Sequence, residues 1–382
     1  MLSRAFSTRR PRWDLDERCR RFPLLQALRE RILVFDGAMG TMIHNAKLTL
    51  DDYGGKENCV ELLNERRPDV IASIHEAYFT AGADIIETNS FGSMPIVLGE
   101  FGLAEEAYHL SRRAAEVARQ VAVGFSTANR PRWVAGSVGP TTKIVSLGHI
   151  GFAEQFASYV TQIQGLLDGG VDLVQIETQY DLLNIKAAVL AAREAMRRAE
   201  REVPIIAQVT IETTGSMLVG TEIAAALPVL EALEVDVVGV NCATGPDLMQ
   251  DHVRYLGQAA ARFVSVLPNA GLPRNVGGVA QFDLTPAALA DYQERFVRDY
   301  GVNAVGGCCG TTPEHIRVLA ERVKNLQPGP RPGAQPAHVA SLYMPVSLHQ
   351  DPPPLIVGER TNANGSKKFR ELLLREDWEG IV

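Results

Sequence analysis

The chain has 382 residues, 46% of them hydrophobic and 22% charged, which is the composition of an ordinary globular protein able to bury a sizeable core. A formal net charge of −7 argues against nucleic-acid binding through overall basic charge, and no uninterrupted apolar run approaches the roughly 18 residues a membrane span needs. Five cysteines are too few for a disulfide scaffold and point to a reducing, cytoplasmic setting, where clustered cysteines serve metal binding or catalysis.

Residues 1–30 read as an N-terminal extension and a lead-in helix. Met1–Trp13 carries four Arg, two Ser and no acidic residue, the composition of a mitochondrial transit peptide. Its shortness, and the acidic Asp14, Asp16 and Glu17 directly after it, favour a plain extension.

From Arg31 to Leu326 one pattern repeats. A short β-branched apolar run ends in a polar or glycine cluster, and a helical stretch follows. The eight runs are 31–37, 83–89, 132–139, 171–178, 204–211, 235–242, 263–271 and 303–310. They are continuous in Val and Ile, as strands covered on both faces are. Helices are predicted over 68–82, 95–123, 152–168, 181–201, 221–234, 246–261, 285–300 and 313–326. Pro68, Pro246, Pro286 and Pro313 mark first turns, and Thr285 and Thr312 stand as N-caps. Eight β and α units in this length predict a (βα)8 TIM barrel. A doubly wound open sheet is the rival, but DGAMGT (36–41) matches the Gly-rich dinucleotide fingerprint poorly. In a barrel, chemistry belongs at the C-terminal ends of the strands. Asp36, Glu87, Asn89, Ser137, Glu177, Thr178, Asn241, Cys242, Asn269, Cys308 and Cys309 all close their runs.

Residues 327–354 hold eight of the 21 prolines and read as a semi-extended linker. Residues 355–382 then restart a strand, polar turn and helix, the incomplete opening of a second α/β domain.

The sharpest signal is GGCCGTTPEHI (306–316) together with VNCATGP (240–246). Adjacent Cys308 and Cys309 cannot easily bond to each other, and glycines on both sides free the backbone to aim both thiols at one point. Cys242 comes from a strand two units earlier, a near neighbour in a barrel. Three thiolates select zinc, and a three-ligand site keeps a position open for catalysis, whereas four ligands make a structural site. Such a site deprotonates a thiol substrate and holds it ready to attack an electrophilic carbon. His315 is the candidate fourth ligand and is expected to point away. On residues alone the reading stays at zinc-activated thiol alkylation or a structural zinc. Cys19 and Cys59 read as ordinary cysteines, and His44 and His149 as loop residues.

The motifs FDGAMGT (35–41), ADIIETNSFG (83–92), GVNCATGP (239–246), PNAGLP (268–273) and VGGCCGTTPEHI (305–316) resemble the homocysteine-binding domain of the cobalamin-dependent methionine synthases. VGERTNANGSKKF (357–369) is similar to the opening of the folate-binding domain that follows it in that family. The resemblance implies zinc held by Cys242, Cys308 and Cys309. It implies homocysteine as substrate, whose zinc-bound thiolate takes a methyl group from methylcobalamin carried on another domain, giving methionine. The cobalamin-binding and folate-binding domains are then the expected partners. Asp36 and Gly37 match the first-strand loop that holds the amino-acid end of homocysteine, and Glu177 is the carboxylate expected at its ammonium. Asn241 either orients a cysteine ligand or contacts substrate. Thr361 and Asn362 sit where a pterin-binding strand would end, in a site too incomplete to bind folate. The chain is expected to be an excised piece or one part of a split enzyme. Docking of the cobalamin domain is expected on the loops after strands one, three and six. The rivals are a homocysteine methyltransferase using S-methylmethionine or betaine, and a non-catalytic zinc or homocysteine-binding module.

Overall fold

Eight parallel strands form one ring in the computed structural model, which describes residues 13–277, 279–332, 337–355 and 362–381. They are β1 (Leu33–Val34), β2 (Ile85–Glu87), β3 (Trp133–Val138), β4 (Leu173–Gln179), β5 (Ile205–Val209), β6 (Val237–Asn241) and β7 (Phe263–Leu267). A small antiparallel hairpin follows, β8 (Arg274–Val276) with β9 (Val279–Gln281), and then the last barrel strand, β10 (Ala304–Val305). The strand order is β1-β10-β7-β6-β5-β4-β3-β2, and a parallel bridge between Phe35 and Ile85 joins the two ends. All eight expected runs are therefore strands of a (βα)8 barrel.

The helices pack outside the ring. Those that open on a proline lie where the prolines predict them, over Pro68–Ala81, Pro246–Ala259, Pro286–Tyr300 and Pro313–Val323. Proline lacks the N–H that a first turn leaves unpaired, and its fixed φ suits the helix. Thr285 caps its helix by accepting from the Ala288 N–H at 3.3 Å. Two features depart from expectation. The helix predicted over 95–123 is broken into Pro95–Leu98, two 3₁₀ turns and Ala107–Phe125, because Gly102 at φ 73 stops the first helical run. The β8–β9 hairpin also interrupts the segment after β7.

Side chains alternate along each strand, so one residue in two faces the barrel interior. Leu33, Ile85, Trp133, Leu173, Ile206, Val237, Phe263 and Ala304, one from each strand, share a single buried cluster. Two N-terminal helices, Leu15–Arg21 and Pro23–Glu30, add Cys19, Phe22, Leu24, Leu25 and Leu28 to the same cluster. They plug the ring from its N-terminal end. Asp236, just before β6, fastens them: its carboxylate accepts from Arg18 at 2.7 Å and from the Ile205 N–H at 2.9 Å. Two residues further along the strands the interior turns polar. Gln175 donates to Glu87, and Gln208 donates to Ser265 at 3.0 Å. This polar layer is the floor of the site above it.

The chain divides into two compact units, Met1–Gln335 with Ala340–Pro345, and Pro336–Val339 with Val346–Val382. Within the Pro-rich stretch β11 (His338–Ala340) and β12 (Pro345–Ser347) pair as a small two-stranded sheet. The tail carries the helices Lys367–Leu374 and Trp378–Ile381. The expected tail strand and Thr361 lie outside the described residues, as does most of Met1–Trp13. Among the described residues no helix is long and apolar enough to cross a membrane.

Gly239 in β6 has the Ser265 carbonyl of β7 so close that a Cβ would overlap it. Gly239→Ala is expected to destabilise the barrel by about 1–3 kcal/mol, because backbone must move to admit the methyl group. A lowered denaturation midpoint with unchanged m-value checks this.

Candidate active site and metal centre

One strand separates β6 from β10, and their C-terminal ends meet over the mouth of the barrel. β6 ends at Asn241, which alternation points inward; Cys242 would follow outward. Instead Cys242 (φ 58) and Ala243 (φ 57) both take left-handed backbone. Non-glycine residues adopt that region at a cost, and such strain collects at functional sites. The turn is held by the Cys242 N–H donating to the Leu267 carbonyl at 3.2 Å and the Thr244 N–H donating to the Cys242 carbonyl at 2.7 Å. It returns Cys242 to the mouth, where it lines a cavity.

After β10, Gly306 and Gly307 have no room for a side chain, since a Cβ would run into Phe35 and Leu267 at the first and Thr311 at the second. The Cys308–Cys309 loop is then pinned on both sides. The Cys308 N–H donates to the Pro268 carbonyl at 2.8 Å, and the Ala270 N–H to the Cys309 carbonyl at 2.9 Å. The Thr311 hydroxyl donates to the Cys308 carbonyl at 2.7 Å. The outcome is three sulfurs, of Cys242, Cys308 and Cys309, all within 4.8 Å of one another.

This donor set fits zinc. Cys242 Sγ and Cys309 Sγ are 3.8 Å apart. Zinc–sulfur bonds of ~2.3 Å in a tetrahedron give a sulfur–sulfur edge of about 3.8 Å. Without a cation the trio carries one negative charge comfortably: hydrogen bonds from Cys242 and Cys308 hold the Cys309 thiol down at about 3. Hydrogen bonding to Cys242 and Cys309, with burial, pushes Cys308 well above the usual thiol range. A bound cation is what would favour all three in the thiolate form. His315 does not join them. Its Nδ1 meets the Thr312 N–H and hydroxyl in a capping box, and its Nε2 lies 2.9 Å from the Leu284 carbonyl.

Beneath the thiols lies a cavity of about 280 Å³, the size of a small metabolite. Gly37, Glu177, Asn241 and the three cysteines all line it. Glu177 is buried and doubly held, by the Ser137 hydroxyl at 2.5 Å and Asn241 Nδ2 at 3.2 Å. Burial, opposed by the Ser137 hydrogen bond, pushes its carboxyl up to about 7. Asn241 also accepts from the Thr178 N–H at 2.7 Å, bracing a β-bulge in β4 where Thr178 has φ 55. Asn241 thus orients Glu177 and the bulge. Asp36 does not line the cavity: it is buried behind it, with Oδ2 accepting from the Glu87 N–H at 3.0 Å. Gly37 is packed so that a Cβ would meet Thr311 and Tyr78. Glu87 does line the cavity, and burial, then the charges of Glu177 and Asp36, raises its carboxyl well above the usual range. In the sequence Glu87 is one polar strand end among many. The alternation Ile85, Glu87 was the signal that places it inside the ring. His44 and His149 are exposed and apart from the cavity lining.

The homocysteine S-methyltransferase family model matches residues 33–323 of the chain. The methionine synthase of Mycobacterium tuberculosis is 48% identical over 356 residues, and that of Mycobacterium leprae 47% over 361. Each alignment takes in 93% of this chain and 30% of the relative, so the chain spans about a third of their length. Among solved structures, the metallated homocysteine methyltransferase MmuM of Escherichia coli superposes with a TM-score of 0.64 at 25% identity. That match covers 78% of this chain and 98% of MmuM.

All five cysteines are free thiols, but Cys19 and Cys59 are buried, and burial pushes Cys59 up to about 11. Iodoacetamide applied to the native, metal-stripped chain is expected to modify the exposed Cys309 first, Cys242 and Cys308 more slowly, and to spare buried Cys19 and Cys59 until denaturant is added. Peptide mass spectrometry reads the pattern.

Proposed function

Because the chain belongs to the homocysteine S-methyltransferase family, a family of methyltransferases, we propose that it is the methyl-acceptor module of a cobalamin-dependent methionine synthase. The observation that carries the reading is the three-thiol cluster. Among the described residues it has no fourth protein ligand, and it opens onto an amino-acid-sized cavity lined by carboxylates. Cys242, Cys308 and Cys309 would hold one zinc ion, which supplies the Lewis acidity that makes a bound thiol a thiolate at neutral pH. The metallated form of MmuM supports a metal in this architecture.

The chain's own residues do the rest. Glu177, fixed by Ser137 and Asn241, presents negative charge to the ammonium of homocysteine. Gly37 leaves the first-strand loop free of a side chain beside the amino-acid end, with Asp36 behind it. The substrate thiolate would then use its electron pair to form the new bond to the methyl carbon, the pair of the broken donor–methyl bond would stay with the donor, and the product would leave as the thioether methionine. The donor we propose is methylcobalamin, carried outside this barrel. The similarity to methionine synthases about three times longer than this chain favours that source, with cobalamin-binding and folate-binding domains as partners. The tail after residue 355 then opens the folate-binding domain. Exposed Leu50, Leu147 and Leu248 stand on or beside the loops after β1, β3 and β6, where an approaching domain would cover them. Free thiols at the site suit a reducing cytoplasm.

The test is zinc per chain by elemental analysis, with zinc-edge X-ray absorption before and after adding homocysteine. One zinc that gains a sulfur ligand is the expected result, and an unchanged ligand set overturns the reading. Supplying methylcobalamin, S-methylmethionine and betaine in turn identifies the donor. Cys308→Ser is expected to weaken zinc binding by more than the roughly 10–100-fold that loss of an outer hydrogen-bond partner costs.

A further inference from the structure

We propose that His315 is a positioning residue for the thiol loop: acting through Leu284 and Ala270 it holds the Cys309 carbonyl, and so sets how tightly the three thiols take up zinc. The proposal rests on the zinc reading above and gives a task to a residue which that reading leaves unused.

His315 is the third residue of the helix Pro313–Val323, and it is buried. Behind a threonine N-cap that position is commonly Glu or Gln, whose single task is to accept the N-cap N–H. Imidazole does that task with one nitrogen and keeps the other. Nδ1 accepts from the Thr312 N–H at 3.2 Å. Accepting requires a lone pair on Nδ1, which assigns the ring proton to Nε2. Nε2 then donates to the Leu284 carbonyl at 2.9 Å, joining the helix to a segment 31 residues earlier in the chain. A helix cap has no use for that second bond.

Leu284 lies where the chain returns from the β8–β9 hairpin. Its N–H donates to the Ala270 carbonyl at 3.0 Å, and the Ala270 N–H donates to the Cys309 carbonyl at 2.9 Å. Buried Ala270 is thus held between Leu284 and the thiol loop. The residue before it joins the other thiol turn, because the Asn269 N–H donates to the Thr244 carbonyl at 3.1 Å. Phe282 adds a second touch: its ring fills the space a side chain on Gly310 would need. The segment therefore grips the loop at Cys309 and at the residue after it. Cys309 is the exposed member of the trio, so it depends most on backbone held from outside. A loop ordered before the ion arrives binds it more tightly than one the ion must order. Without the imidazole bond Leu284 can lift from Ala270, and ordering the loop falls to the metal.

The experiment measures zinc affinity of the full chain by competition with a chromogenic chelator, beside the melting temperature of the metal-free form. His315→Asn keeps an acceptor for the Thr312 N–H but is too short to reach Leu284. It should weaken zinc about 10-fold, the low end for loss of a partner behind a metal ligand. His315→Gln, whose amide N–H extends as far as Nε2, should recover part of that loss. Thr312→Ala removes the cap hydroxyl and leaves the Leu284 bond. It should lower the melting temperature with zinc affinity unchanged. Hydrogen-exchange mass spectrometry of the metal-free chain should show faster exchange at Ala270 and Leu284 in His315→Asn than in Thr312→Ala. Zinc affinity that follows melting temperature across the variants would show a merely structural role and overturn the assignment. Equal loss in His315→Asn and His315→Gln would overturn it too. If the wild-type chain takes up no zinc, the zinc reading falls and this proposal with it. If wild type and His315→Asn bind zinc equally well, this proposal alone falls.

Discussion

Closure of a parallel ring is the constraint from which everything else in the molecule descends. When all strands run the same way, all their C-terminal ends leave on one face. When the ring is closed, residues distant in sequence become neighbours around it. β6 and β10 stand one strand apart, and only for that reason do Cys242 and the Cys308–Cys309 pair share a point in space. The strict alternation of strands then sorts the interior by height. An apolar layer at the bottom is sealed by two helices, a polar layer sits above it, and the thiols and carboxylates crown the ring. Each layer supports the next, so the groups at the mouth stand on buried, hydrogen-bonded side chains.

The site concentrates negative charge, and that is an electrostatic load on the fold. Three thiols and the carboxylates of Asp36, Glu87 and Glu177 crowd one end of a barrel whose other end is apolar. Folding alone gives no reason to place them together, and local conflict of this kind in an otherwise consistent structure marks function. The conflict is resolved in two separate currencies. On the proposed reading, a metal meets the soft sulfur donors and a substrate ammonium meets the hard oxygen donors. An amino acid with a thiol side chain satisfies both at once, since its two ends are of the matching kinds and its short chain bridges them.

Much of this was legible in the sequence, for identifiable reasons. The eight strands are continuous Val and Ile runs, and the helices carry prolines at their first turns, so both signals are local. The cysteines stood out because adjacent thiols between glycines suit neither a core nor a disulfide. What escaped depends on contacts that close only in three dimensions. The left-handed turn at Cys242 and Ala243 has no glycine or asparagine to announce it; it exists because the neighbouring strands hold it. Asn241 carried two open roles until its bonds to Glu177 and Thr178 were visible. Asp36 belonged to the right motif, yet it stands behind the cavity rather than in it. Glu87 was within reach of sequence reasoning through the same period-two count that places Glu177, but a list of polar strand ends does not say which of them face inward.

The N-terminal plug bears on how this barrel can be handled. The family match opens at residue 33, which invites a shortened version beginning there. Such a version would lack the helices that bury Phe22, Leu25 and Leu28 against the strand interior, and would leave Arg18 absent from its buried partner Asp236. The ring would then expose an apolar, open-ended floor to solvent, a surface prone to self-association and to insoluble expression. The segment from Trp13 to Glu30 belongs to the folding unit, and the usable boundary lies before it.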